Sequence, residues 1–215
     1  MKEQTGLNPD ALAWGKMDGL LPVVVQDAST SVVLMLGYMN RAALAATQRD
    51  GLVTFYSRSK QRLWRKGETS GNLLNLVAIR TDCDSDALLI AAQPAGPTCH
   101  LGTDSCFDAQ PEGAAWLASL ERIVAQRASA APADSYTARL LAEGLPKVAQ
   151  KVGEEGVEVA LAAVTRDSDG VKEEAADLLF HLLVLLRSRE ISLGAVVDCL
   201  RERHRQAGTG EEQGA

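Results

Sequence analysis

Apolar residues in this chain follow one period before about residue 110 and another after it, and no single layer of secondary structure satisfies both. Upstream, residues 23–27, 30–34, 53–57, 75–81 and 87–91 are short β-rich runs. Turn residues separate them, as does one helical stretch over 38–49 that Asp50-Gly51 closes. Downstream, Trp116, Leu117, Leu120, Ile123 and Val124 recur at helical spacing within 112–125. Further helices are predicted over 136–143, 146–165, 171–189 and 193–205, with Asp169-Gly170 as the turn between the middle pair. Leu161, Val164, Leu178, Leu179, Leu182, Leu183 and Leu186 imply that this middle pair is largely buried. The pattern predicts two domains, a mixed, mostly β (α+β) domain over 1–110 and an all-α domain over 111–206. The Gly- and Glu-rich segment 207–215 is expected to be a disordered tail. A length of 215 residues lets each domain bury its own core.

The densest chemistry lies at Asp82-Cys83-Asp84-Ser85-Asp86, which interleaves three hard oxygen ligands with a thiolate. Carboxylates at this density suit Mg²⁺ or Ca²⁺, whereas thiolates suit Zn²⁺. If 82–84 is extended, Asp82 and Asp84 share one face and Cys83 takes the other, so two adjacent metal sites follow. Cys99, in Thr98-Cys99-His100, and Cys106, in Ser105-Cys106-Phe107, are the other thiols within reach. Three thiolates leave one tetrahedral position for water or substrate, the arrangement of a catalytic zinc. His100 as a fourth ligand would instead close a structural site, and three unlinked core thiols are the plain alternative.

The helical half carries a second set of acids, Glu154, Glu155 and Glu158 on one helix and Glu174 and Asp177 on the next. Residues three or four apart share a helix face, so two such helices packed together gather their carboxylates into one cleft. Crowded carboxylates repel unless a cation lies among them, and Mg²⁺ is the natural one. Lys147 and Lys151 precede the acids and can pair with them or reach phosphates. A solvated acidic face is the competing explanation. His181, one turn beyond Asp177, has the character of a satisfied core histidine.

A net charge of −6 without a long basic block argues against nucleic acid as a partner. The longest apolar stretch, interrupted by His181, is too short to span a bilayer. Four cysteines without a secretory leader point to a reducing cytoplasm rather than a disulfide framework.

These motifs resemble two known families. The stretch 82–86 with the segments around Cys99 and Cys106 resembles phosphoribosyl-AMP cyclohydrolase. The segment 147–158 with 174–181 resembles phosphoribosyl-ATP pyrophosphatase, and the two in this order look like the bifunctional family of histidine biosynthesis. The likeness covers about residues 14–205. It implies that the second domain cleaves phosphoribosyl-ATP to phosphoribosyl-AMP and pyrophosphate, with Mg²⁺ held by Glu154 or Glu155, Glu158, Glu174 and Asp177. Lys147 and Lys151 then suit phosphate contacts. The first domain is expected to open the adenine ring of phosphoribosyl-AMP with zinc-activated water. The resemblance makes Cys83, Cys99 and Cys106 zinc ligands, Asp82, Asp84 and Asp86 magnesium ligands, and His100 a general acid or base. It also implies a homodimer with zinc bound across the two chains. The loop 57–72 corresponds to a substrate-binding segment, where Arg58, Ser59, Arg62 and Lys66 suit phosphates and Trp64 suits stacking or packing. Two rival functions stay open on sequence alone. One is a general Mg²⁺-dependent nucleotide pyrophosphatase with a zinc-binding accessory domain, and the other is a zinc-stabilised adaptor with a helical dimerisation domain.

Overall fold

The computed structural model describes residues 7–211. The chain divides into two compact units with the boundary between Trp116 and Leu117, slightly downstream of the expected division at 110. The first unit is built on strands and the second on helices, as the change of period requires.

In the first unit, β1 (Leu21–Asp27) alternates fully with the core, burying Leu21, Val23 and Val25 and leaving Pro22, Val24 and Gln26 half-buried. That period of two is what a sheet with one covered face demands. β1 pairs antiparallel with β2 (Val33–Met39) and parallel with β6 (Leu88–Pro94). β6 in turn pairs antiparallel with β5 (Leu74–Thr81), giving the order β2-β1-β6-β5. β5 shifts register between Leu76 and Ala78, a bulge that realigns the strand shortly before its hairpin with β6. α1 (Arg41–Asp50) and a separate ribbon of β3 (Thr54–Ser57) and β4 (Arg62–Arg65) complete this unit, with Leu44, Met39 and Phe55 joining the strand residues in one core.

Three local expectations change here. The second strand runs over Val33–Met39 rather than 30–34, so Tyr38 is extended and the helix starts only at Arg41. Asn40 sets that start, because its side chain accepts from Ala43 N–H, and Gly51 ends the helix at φ 67°. Gly37 keeps the longer strand in place: a Cβ there would lie 2.4 Å from the Phe55 ring, which packs across the bare backbone. The expected basic loop contains β4, whose partner β3 aligns Phe55 with Trp64. Arg62 is exposed and pairs with Glu68, and Arg65 is half-buried and pairs with Asp50, so charge at both ends of β4 masks a strand.

In the second unit, α2 (Trp116–Ala128), α3 (Tyr136–Ala142), α4 (Leu145–Thr165), α5 (Ser168–Ser188) and α6 (Leu193–Glu211) follow in order. Val124, Leu140, Val148, Leu183 and Val184 form the core. The two-residue connection at Arg166-Asp167 folds α5 back along α4 as a helical hairpin. Asp167 caps α5 by accepting from Gly170 N–H, so Asp169-Gly170 lies inside the first turn rather than forming the expected break.

Burial of the α4–α5 pair is one-sided. Leu183 and Val184 are buried, but Leu161 is 56% exposed, Val164 80% and Leu179 42% within one chain. α2 and α3 cover one face of the pair with Val124 and Leu140, and the opposite stripe of α4, Val157, Leu161 and Val164, stays bare within one chain. Residues 212–215 of the expected tail lie outside the described residues. Among the described residues no helix is long and apolar enough to cross a membrane.

Candidate active sites

The hairpin between β5 and β6 carries the first site. Residues 82–86 form a turn rather than an extended strand, with Ser85 at φ 63°. Asp82 builds the turn: its Oδ1 accepts from Asp86 N–H at 3.0 Å and from Ala87 N–H at 3.1 Å. Asp82, Asp84 and Asp86 nevertheless converge, each placing one oxygen within 4.8 Å of the others. Curvature achieves what strand alternation was expected to do. The short 3₁₀ turn Trp14–Met17 delivers Lys16 to this turn, with Nζ 2.6 Å from Asp84 Oδ2 and 3.2 Å from Asp86 Oδ2. Ala13 N–H donates to Ser85 O and ties the two segments together. The Lys16 hydrogen bond holds the Asp84 carboxyl below the usual carboxylate range.

Cys99 and Cys106 approach each other in the loop after β6, while Cys83 is exposed on the turn. Ser105 Oγ donates to Val33 O and Cys106 N–H to Leu34 O, pinning the loop to β2. Donors from Leu101 N–H, then Thr103 and Cys106, draw the Cys99 thiol below its ordinary value, whereas desolvation of the sulfur, then the Cys99 charge, pushes Cys106 up although that residue as a whole is exposed. Cys99 is therefore the better thiolate of the two. His100 is exposed, its Nδ1 3.9 Å from Cys99 Sγ. Lys66 is buried behind these thiols, where burial lowers its pKa and the charges of Cys106 and Cys99 partly oppose that shift. Among the described residues Cys83 does not complete a three-ligand group with Cys99 and Cys106 in one chain.

The substrate-segment residues divide by environment. Arg58 lies over the Tyr38 ring at 3.8 Å, and Ser59 Oγ lies 3.4 Å from Ser57 Oγ. Arg62 pairs with Glu68. Trp64 stacks on Phe55 at 5.7 Å and belongs to the edge of the core. Gly67 follows at φ 83°, where a Cβ would come within 2.4 Å of Asn72 O, so the return of this segment depends on glycine.

The second site lies on the α4–α5 hairpin. Glu155, Glu158 and Glu174 each place an oxygen within 4.8 Å of the others. Glu155 is buried and Glu158 exposed. Glu154 turns away, accepting from Gln150 at 2.6 Å and pairing with Lys151 at 3.1 Å. Asp177 is exposed and stands outside the converging group, although its backbone carbonyl meets His181. Lys151 Nζ reaches Glu155 Oε1 at 2.7 Å, and both flanking carboxylates raise its pKa. Lys147 rests on Gln150. Arg166 caps α4 and pairs with Glu174.

Both donor sets fit the expected ions. The Glu155 charge, then burial and Glu174, pushes the Glu158 carboxyl up, as like charges held close together do. Three convergent carboxylate oxygens suit Mg²⁺, which completes its shell with water and phosphate. The paired thiols Cys99 and Cys106 suit Zn²⁺. Lys16 and Arg166 are not legible as site residues from the sequence, because each reaches its carboxylate across a tertiary contact that no local spacing encodes.

A phosphoribosyl-AMP cyclohydrolase family model matches residues 35–108, and a phosphoribosyl-ATP pyrophosphohydrolase model matches residues 117–204. Among curated relatives, the histidine biosynthesis bifunctional protein HisIE of Xylella fastidiosa strain Temecula1 is 60% identical over 92% of this chain and 94% of its own length. The protein of the same name from Escherichia coli strain K12 is 56% identical, over 90% of this chain and 95% of its own length. The Yersinia pestis protein is 54% identical over the same shares. Two family models in tandem and relatives this similar over nearly their whole length place the chain in the bifunctional HisIE family, a cyclohydrolase domain followed by a pyrophosphohydrolase domain.

Proposed function

We propose that this bifunctional hydrolase of histidine biosynthesis runs its two reactions on separate ligand sets, one in each unit. The observation that carries this reading is that each unit gathers its own three carboxylates, Asp82, Asp84 and Asp86 in one and Glu155, Glu158 and Glu174 in the other. A general nucleotide pyrophosphatase with an accessory zinc domain fits less well, because the first unit matches a cyclohydrolase model in its own right.

In the helical unit the substrate is phosphoribosyl-ATP. Water attacks the α phosphorus, the α–β anhydride bond breaks, and pyrophosphate leaves. Glu155, Glu158 and Glu174 hold Mg²⁺, with Asp177 and Glu154 at the margin of the set. Lys147 and Lys151 supply the positive charge that binds phosphate oxygens. In the first unit phosphoribosyl-AMP gains water at C6 of the adenine ring, the N1–C6 bond breaks, and N1 takes a proton. Cys83, Cys99 and Cys106 hold Zn²⁺, and Asp82, Asp84 and Asp86 hold Mg²⁺. When bound, the zinc supplies Lewis acidity towards the added water and the magnesium neutralises phosphate charge. His100, adjacent to Cys99 and open to solvent, moves the proton. Arg58, Ser59, Arg62 and Lys66 orient the phosphoribosyl group, while Trp64 stiffens their ribbon from the core side. The setting is the cytoplasm, and neither nucleic acid nor membrane takes part.

The working form is a homodimer that assembles the zinc site across two chains. Among the described residues, Cys83 does not gather with Cys99 and Cys106 into one ligand group within a chain. The outer face of the main sheet offers an apolar surface, since Val24 pairs with Leu36 on one side and Leu89 on the other. The bare α4 stripe of Val157, Leu161 and Val164 offers another. Mixing inactive Cys83→Ala subunits with inactive Cys99→Ala subunits tests this arrangement. Half the sites in a mixed dimer keep all three thiols, so ring opening is expected to recover to about a quarter of the wild-type level at random exchange. No recovery after proven subunit exchange would place all three ligands in one chain.

A further inference from the structure

Tyr136 at the start of α3, His181 in α5 and Glu155 in α4 form a polar line that runs from the surface into the helical unit. His181 is 6% exposed and Glu155 4%. The Tyr136 hydroxyl lies 3.0 Å from His181 Nε2, and His181 Nδ1 lies 2.9 Å from the Asp177 carbonyl oxygen and 3.6 Å from Glu155 Oε1. A carbonyl only accepts, so Nδ1 carries a proton whether the ring is neutral or charged. In the neutral ring Nε2 accepts from Tyr136. The opposite tautomer would aim a lone pair at both the carbonyl and the carboxylate. Edge-on contacts from Tyr136 at 6.0 Å and Phe180 at 5.3 Å hold the ring plane. The N–H edge thus faces Glu155 at a distance beyond a hydrogen bond but within electrostatic attraction in a water-poor setting.

Glu155 needs such a neighbour. It is the buried member of the converging acids, and its ammonium partner Lys151 is divided between Glu155 and Glu154. A buried carboxylate beside Glu158 and Glu174 is repelled from the side on which it must converge. We propose that His181, held by Tyr136, is a positioning residue that keeps the Glu155 carboxylate turned towards Glu158 and Glu174. The proposal rests on Glu155 being a cation ligand.

The test is Mn²⁺ binding, followed by electron paramagnetic resonance, in the full-length zinc-loaded protein carrying Asp84→Asn and Asp86→Asn to remove the other acid group. His181→Leu is expected to weaken binding about 10–100-fold, the usual cost of losing a group that orients a ligand. His181→Asn should recover most of the loss, since its amide nitrogen stands the same number of bonds from Cα as Nδ1. Tyr136→Phe should fall between the parent and His181→Leu. Unchanged affinity in His181→Leu, or a His181→Asn variant as weak as His181→Leu, would overturn the proposal. If His181→Leu fails to fold, His181→Asn and Tyr136→Phe decide it: affinity in Tyr136→Phe below that in His181→Asn supports the pair, and equal affinity to the parent in Tyr136→Phe overturns it. Glu155→Gln in the same background separates the premise, because Mn²⁺ binding that survives this change would overturn the ligand assignment itself.

Discussion

Cys99→Ala is expected to lower ring opening of phosphoribosyl-AMP by about a thousandfold or more, while pyrophosphate release from phosphoribosyl-ATP stays within twofold of wild type. Cys99 is the buried thiol of the Cys99–Cys106 pair and the one whose surroundings favour the thiolate. Alanine removes that donor and leaves the neighbouring Lys66 beside a single thiol. Zinc content should fall together with ring opening, which distinguishes loss of the ion from loss of the proton-moving residue next to it. Stopped assays for pyrophosphate and for the ultraviolet change of the opened ring, run on the same sample, measure both activities. Equal loss of the two activities with intact helical signal would show that the units do not work independently.

Glu158→Gln is expected to do the reverse, lowering pyrophosphate release about 100–1,000-fold and sparing ring opening of supplied phosphoribosyl-AMP. Glu158 is the exposed member of the helical acids, and the charge of Glu155 is the largest cause of its raised pKa. Glutamine keeps the shape, removes the like-charge repulsion and removes one ligand charge. If the cluster were only a solvated acidic face, relief of repulsion would stabilise the protein and leave turnover intact. A stable but inactive variant therefore separates the two explanations. The same change at Glu154 is expected to have a far smaller effect, because Gln150 and Lys151 hold that carboxylate away from the cluster.

What the residues disclosed in advance follows a physical division. β1, β5 and β6 are legible as short β-rich apolar runs bounded by turn residues, and the helices because their apolar residues recur at helical spacing. β4 was hidden, since Arg62 and Arg65 carry charge on a ribbon that buries little. The true length of β2 depends on Gly37 lying under Phe55, a contact between separate segments. The acidic motif at 82–86 was recognisable from its ligand chemistry, but its turn came from Asp82 accepting two backbone N–H groups, not from strand alternation. Glu155 and Glu154 were equivalent by spacing to Glu158. The fold separates them through Lys151, Gln150 and burial. The apolar stripe of α4 looks like core in the sequence because periodicity reports an apolar face without reporting what, if anything, packs on it within the chain.

The most direct measurement supplies the full-length protein with phosphoribosyl-ATP, Mg²⁺ and Zn²⁺ and follows pyrophosphate and the ultraviolet signal of ring opening together. Pyrophosphate is expected first, with ring opening following until it matches the pyrophosphate released. Pyrophosphate without ring opening, or neither signal, would contradict the assignment of two sequential hydrolases to the two units.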